Sequence, residues 1–213
     1  MSWIKTVSYN ESRGRLRDLY DRIKGPNDNV DNIMMAHSLR PHTMEGHMAI
    51  YKYVLHNKNN IVPKWFLETL GVLVSHLNKC SYCLEHHYAG LKRLLADNVK
   101  AQSIRNAIEQ NNIAVAPLNK KQKLAMHYAQ MLNDSPSQLT EKNIIDLRET
   151  GFDDGEILEI NQVCAYFSYA NRTVLGLGCS IDGDFIGLSP NNSEDANDWS
   201  HTLFTFKSSN IFN

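Results

Sequence analysis

Cysteine is scarce, with four in 213 residues, too few for a secreted disulfide framework. Charge of one sign is missing as well. The formal net charge is −1, so no basic field marks a nucleic acid or an acidic lipid surface as partner. No apolar run approaches the ~20 residues of a membrane span. The opening MSWIKTVSYNESRGRL carries charges where a signal peptide has an apolar stretch. Alternating strands and a βαβ rhythm are also lacking. These absences predict a cytoplasmic chain with reduced thiols and no nucleic-acid or membrane partner. A chain of this length buries enough surface to fold without disulfide staples.

What remains is helical periodicity. From Pro63, PKWFLETLGVLVSHLNK sets Trp65, Leu67, Leu70, Val74 and Leu77 at three- and four-residue steps. Pro63 suits a first turn, where its missing N–H costs nothing. SYCLEHHYAGLKRLLAD continues at the same spacing with Cys83, Leu84, His87 and Leu91. Further helices are predicted over about 10–24, 30–39, 41–57, 100–111, 119–133, 140–150 and 154–178, the last opened by a capping box of Asp153 and Glu156. Short loops fall at 25–26, 57–60, 115–117 and 134–136, none of them a domain linker. The fold class is all-α. Beyond residue 180 the chain turns Asn- and Ser-rich, with Trp199, Leu203, Phe204 and Phe206 embedded. That composition reads as an extended tail whose aromatics pack on a neighbouring subunit or on its own domain.

The chemistry concentrates between Glu68 and His87. Cys80 and Cys83 form a C-x-x-C, with His87 four residues further on. On a helix the three share one stripe, and Cys80 sits near the N-terminus, where the dipole is strongest and solvent closest. The dipole and a nearby imidazole both favour thiolate over thiol. A second cysteine one turn away can trap a sulfenic acid as a disulfide. Glu68, flanked by Phe66, Leu67 and Leu70, is a carboxylate on an apolar face and needs a partner such as an imidazole. Two other uses stay open: a zinc site, which needs four ligands and finds only His76, His86 or His87 nearby, and plain buried thiols. A thioredoxin-like motif is excluded, because no strand precedes it. His37, His42, His47, Asn171 and Arg172 read as structural, Cys164 and Cys179 as buried thiols, and Tyr88 and Met44 as core or pocket wall.

The pattern of Glu68, Cys80, Cys83 and His87, E-x11-C-x2-C-x3-H, resembles the signature of the AhpD-like alkylhydroperoxidases of the carboxymuconolactone decarboxylase superfamily. Flanking stretches, among them NVDNIMMAHSLRPHTMEGHMAIYKYVLH, VPKWFLE, CSYCLEHHYAGL and YANRTVLGLG, resemble its peroxidase-related branch. The resemblance implies a single AhpD-like domain of orthogonally packed helices over 1–180, with a core at about 41–130 and a tail over 181–213. It implies a thiol-dependent hydroperoxide reductase without metal, flavin or haem. Cys83 would become the sulfenic acid and Cys80 would close the disulfide, with Glu68 and His87 as proton relay. The implied partners are a small hydroperoxide, an external dithiol or thioredoxin-like reductant, and further copies of the chain in a trimer or hexamer. One departure stands out: some members carry histidine where this chain has Tyr82. A disulfide reductase or adaptor, and a non-catalytic protein with structural thiols or zinc, are the alternatives.

Overall fold

The computed structural model describes residues 2–191, 194–195 and 198–201. These hold nine α-helices: α1 (Gly14–Ile23), α2 (Asn32–Ala36), α3 (Pro41–Tyr51), α4 (Lys64–Leu77), α5 (Ser81–Leu95), α6 (Asn98–Glu109), α7 (Lys120–Asp134), α8 (Glu141–Glu149) and α9 (Asp154–Leu177). The one strand-like pairing among the described residues is an isolated bridge between Pro190 and His201. The all-α expectation holds.

Helix α4 is the axis of the domain. Every residue from Phe66 to Ser75 is buried, and α5, α9, α7 and α6 pack around it. A helix apolar on all sides belongs in a core. It lies close to α9 because residue 71 is glycine: a Cβ there would fall 2.3 Å from the Phe167 ring. Helix α9 starts at the expected capping box, where Asp153 Oδ1 accepts from the Glu156 N–H at 2.8 Å and Glu156 Oε2 accepts from the Asp153 N–H at 3.0 Å.

Three expected helices are shorter than the periodicity suggested, and the one over 30–39 is reduced to Asn32–Ala36. α1 begins at Gly14 and not at 10, because residues 8–12 close a turn in which the Ser12 N–H donates to Ser8 O at 3.0 Å. The expected helix over 41–57 is regular only to Tyr51 and then widens into a π-helical turn, Lys52–His56. Lys52 is buried there, and its Nζ donates to the carbonyls of Asp195 and Asp198.

From Gly178, where φ is +63° and α9 ends, the chain returns across its own domain. The Asn32 side chain donates to Ser180 O at 2.8 Å and Asp182 O at 3.0 Å. Arg93 donates to Gly187 O and, at 2.7 Å, to Ser189 Oγ. Trp199 is buried beneath the Arg22 guanidinium, 3.9 Å from the ring, and His201 Nε2 donates to Ile23 O at 2.6 Å. Leu203, Phe204 and Phe206 lie outside the described residues. No helix among the described residues is long and apolar enough to cross a membrane.

Candidate active site

The site is assembled by the turn between α4 and α5. The Lys79 N–H donates to His76 O at 2.9 Å and the Cys80 N–H to Ser75 O at 2.8 Å, the paired bonds of a Schellman motif. The motif requires a left-handed residue, here Lys79 with φ +58°. Cys80 is thereby set at the N-cap of α5. Cys83, His87 and Gly90 follow at helical steps on the side of α5 that meets α4.

Glu68 enters from α4 and is 1% exposed. Its Oε2 lies 2.7 Å from His87 Nδ1. With Nδ1–H donating to the carboxylate, the other ring nitrogen is left as the base, the arrangement in which a carboxylate fixes an imidazole tautomer. The carboxylate fits because residue 90 is glycine, as a Cβ there would stand 2.7 Å from Glu68 Oε1. The partner that a carboxylate on an apolar face needs is therefore His87.

All four cysteines are free and buried. Cys80 is 1% exposed and Cys83 3%. The expectation that Cys80 stands closer to solvent is not met, because the Schellman turn folds its backbone back onto α4. The two thiols are joined. The Cys83 thiol donates to Cys80 and holds its pKa below the ordinary thiol value against the cost of burial, and the Cys83 backbone N–H adds to this. Cys83 is pushed well above that value, first by its bond to Cys80 and then by burial. Of the two, Cys80 is the more acidic thiol and Cys83 the one that holds its proton more tightly.

Cys83, not Cys80, opens onto a cavity of about 60 Å³, which it shares with Glu68, His87, Tyr51, Tyr166 and Arg93. That volume holds a few waters or one small solute. Aromatic rings fix its wall. His87 meets Phe167 edge-on at 4.4 Å between centroids, and Tyr51 stacks on Tyr166 at 5.5 Å. The returning chain contributes Gly187, Leu188 and Ser189 to the lining.

Tyr82, inside the C-x-x-C, is tethered away from the thiols. Its hydroxyl donates to Asp184 Oδ2 at 2.5 Å and accepts from the Ile33 N–H at 3.2 Å, while its ring stacks on His86 at 4.7 Å. His86 Nε2 lies 3.5 Å from the same carboxylate. Of the residues expected to be structural, His42 is exposed, His37 and His47 are buried with rings 5.2 Å apart, and Met44 and Tyr88 are core. His47 is an exception to that reading, because it also lines the cavity. Asn171 is fully buried, donating to Ser75 Oγ at 3.2 Å and accepting from Asn78 Nδ2 at 3.0 Å, and it also bonds the Cys83 thiol in the sense that favours thiolate. Arg172 bonds its own helix at Ser168 O. Burial pushes the Cys164 thiol up to about 12. Among the described residues no group of three or more His, Cys, Asp or Glu side chains is arranged to hold a metal ion. Tyr51, Arg93 and the 187–189 segment are cavity residues that sequence reasoning missed, since nothing in their local pattern marks them.

No family model matches the chain, and no curated protein matches it in sequence. Solved structures do match. An uncharacterized peroxidase-related protein from Ralstonia eutropha JMP134, described as an alkylhydroperoxidase AhpD core, superposes with a TM-score of 0.73 at 20% identity, covering 84% of this chain and 92% of its own. A peroxidase-related protein from Silicibacter sp. TM1040 superposes with a TM-score of 0.66 at 25% identity over 74% of this chain and 80% of its own. The debrominase Bmp8, in complex with 2,3,4-tribromopyrrole, gives 0.68 at 15% identity over 85% of this chain and 94% of its own. The chain has the AhpD-like helical fold, the fold that the resemblance drawn from its sequence implied.

Proposed function

We propose that this protein is an antioxidant enzyme of the AhpD-like kind, a thiol-dependent hydroperoxide reductase that cycles Cys80 and Cys83 between dithiol and disulfide. One observation carries the reading: Cys83 shares its small cavity with an imidazole locked by a buried carboxylate at 2.7 Å. The likeness to peroxidase-related structures supports the direction of the chemistry.

In the resting pair Cys83 keeps its proton. Moving that proton to the free nitrogen of His87, with Glu68 stabilising the imidazolium, exposes a Cys83 thiolate to the cavity. The thiolate attacks the terminal oxygen of a hydroperoxide, the O–O bond breaks, an alcohol leaves and Cys83 becomes a sulfenic acid. Cys80, already the more acidic thiol, attacks that sulfur, expels water and closes the disulfide. An external dithiol reopens it by exchange. The cavity of about 60 Å³ admits a small hydroperoxide and excludes a protein, so reduction by a thioredoxin-like partner requires the 78–80 turn or the overlying chain to move aside.

Mass spectrometry before and after one equivalent of a small hydroperoxide tests the reading. The expected product is a loss of two hydrogens mapped to a Cys80–Cys83 peptide, with Cys164 and Cys179 unchanged. A pair that exchanges with dithiols yet ignores peroxide would make the protein a disulfide reductase. A pair inert to both would leave it structural.

A further inference from the structure

Three tyrosines line the cavity, and two have committed hydroxyls. The Tyr166 hydroxyl bonds His47 Nε2 at 3.3 Å, and that of Tyr82 donates to Asp184 at 2.5 Å. The third, Tyr51, is half-buried, and its hydroxyl has no hydrogen-bond partner among the described residues. Tyr51 lines the same cavity as Cys83, Glu68 and His87. A phenol oxygen with no partner on a cavity wall is a group waiting for a ligand.

The ring is positioned from three directions. Tyr166 stacks on it at 5.5 Å and 24°, His56 meets it edge-on at 4.7 Å and 81°, and His87 at 6.1 Å and 80°. Tyr51 is also the last residue of α3 before the helix widens into the π-helical turn. Such turns recur at functional sites because they re-aim side chains that a regular helix would place elsewhere. Here the turn is pinned by the buried Lys52, which donates to Asp195 O at 2.5 Å. Burial, Glu68 and Asp31 hold the phenol protonated throughout the working range. In the resting site it is a donor and not an anion beside the thiolate.

We infer that Tyr51 is a catalytic residue whose hydroxyl donates to the oxygen that leaves when Cys83 attacks a hydroperoxide, an assignment that rests on the peroxidase reading above. In that step the S–O bond forms to the terminal oxygen and the O–O bond breaks. The sulfur is oxidised to sulfenic acid, the peroxide is reduced, and the electron pair goes to the departing alkoxide. The alkoxide takes the Tyr51 proton and leaves as alcohol. The phenolate recovers a proton from the His87 imidazolium, which had received it from the Cys83 thiol. The sum is one thiol and one hydroperoxide converted to one sulfenic acid and one alcohol.

Tyr51→Phe in the full chain isolates the hydroxyl, because the phenyl ring keeps the aromatic contacts. It is compared with the parent, both carrying Cys80→Ser so that Cys83 alone of the pair reacts, and the products are mapped by peptide. Oxidation of Cys83 by tert-butyl hydroperoxide should slow by about 10²–10³, the cost of losing one preorganised donor to a developing oxyanion. Alkylation of Cys83 by iodoacetamide should stay within twofold, because iodide leaves without a proton. Peracetic acid, whose carboxylate also leaves unprotonated, should lose far less rate than tert-butyl hydroperoxide. Oxidation at the parent rate would overturn the assignment. So would an equal fall in oxidation and alkylation, which would make Tyr51 a packing residue. If the parent itself takes up iodoacetamide but ignores every peroxide, the peroxidase reading fails and the assignment falls with it.

Discussion

Gly90 faces the Glu68 carboxylate so closely that a Cβ at position 90 would lie 2.7 Å from Oε1 and 2.9 Å from Cδ. The glycine therefore serves the buried pair. In an exposed helix, alanine is favoured over glycine by about 1 kcal/mol. Here the added methyl meets the far end of a flexible side chain, which can swing away only by giving up His87. Gly90→Ala should leave stability within about 1 kcal/mol of the parent, as helix propensity offsets crowding. Cys83 oxidation should nevertheless slow by roughly 10² as the relay is lost. Urea denaturation and stopped-flow oxidation together check this. An unchanged rate would mean that the carboxylate has another productive position.

The pair can also be tested from within. Glu68→Gln and His87→Asn are near in shape, so helical circular dichroism should survive both. Acid–base assistance is worth ~10²–10⁴ in rate. Each variant should slow peroxide consumption within that range, and the double variant should lose little more than the worse single one, because the two residues act as one unit. Rates that multiply would show the two working independently.

The motif was legible because its logic is local. Cys80, Cys83 and His87 lie within two turns of one helix, and Glu68 had to find a partner wherever α4 packed. Tyr51 carried no such signal, because its role depends on a π-helical turn held by carbonyls of the returning chain more than 140 positions away. The burial of Cys80 was hidden for a related reason. A left-handed position usually announces itself as glycine, and here it is Lys79. The tail's aromatics suggested packing, but composition alone could not choose its own domain over another subunit. The described part, through His201, lies on its own domain.

Acid should destabilise the fold from near neutrality. His37, His47 and His56 are buried, and burial is the leading cause that lowers each one, with His47 at about 3. Unfolded, each titrates near 6.5. Their neutral forms stabilise the fold fully above that value, and the benefit is lost as pH falls from about 6.5 toward the folded pKa. For His47 this amounts to roughly 2 kcal/mol between pH 6.5 and 5. Asp31 opposes it, because burial raises its carboxyl to about 6. Its contribution grows as pH falls from about 6 to 4 and reaches only about 1 kcal/mol at pH 5. Three histidines outweigh one carboxyl. Urea midpoints should fall between pH 7 and pH 5, and a rise would show Asp31 in control.

Labour within the thiol pair should be divided, with Cys83 taking the oxygen and Cys80 resolving it. Acidity alone favours Cys80 as the attacking sulfur, since Cys83 donates to it and is itself pushed well above the usual thiol range. Access argues the other way, because Cys83 lines the cavity with His87 and Cys80 does not. Access should win. A thiolate that cannot meet peroxide does not react, whereas a proton can be moved from Cys83 within the pair or to the imidazole. Cys80→Ser should accumulate a sulfenic acid on Cys83 that dimedone traps, and Cys83→Ser should lose peroxide reactivity. Cys83→Ala removes the donor to Cys80 altogether, so the Cys80 thiol should titrate higher than in the parent, by alkylation rate against pH. Dimedone on Cys80 in the Cys83→Ser protein, with Cys80→Ser inert, would reverse the roles and make acidity the deciding factor.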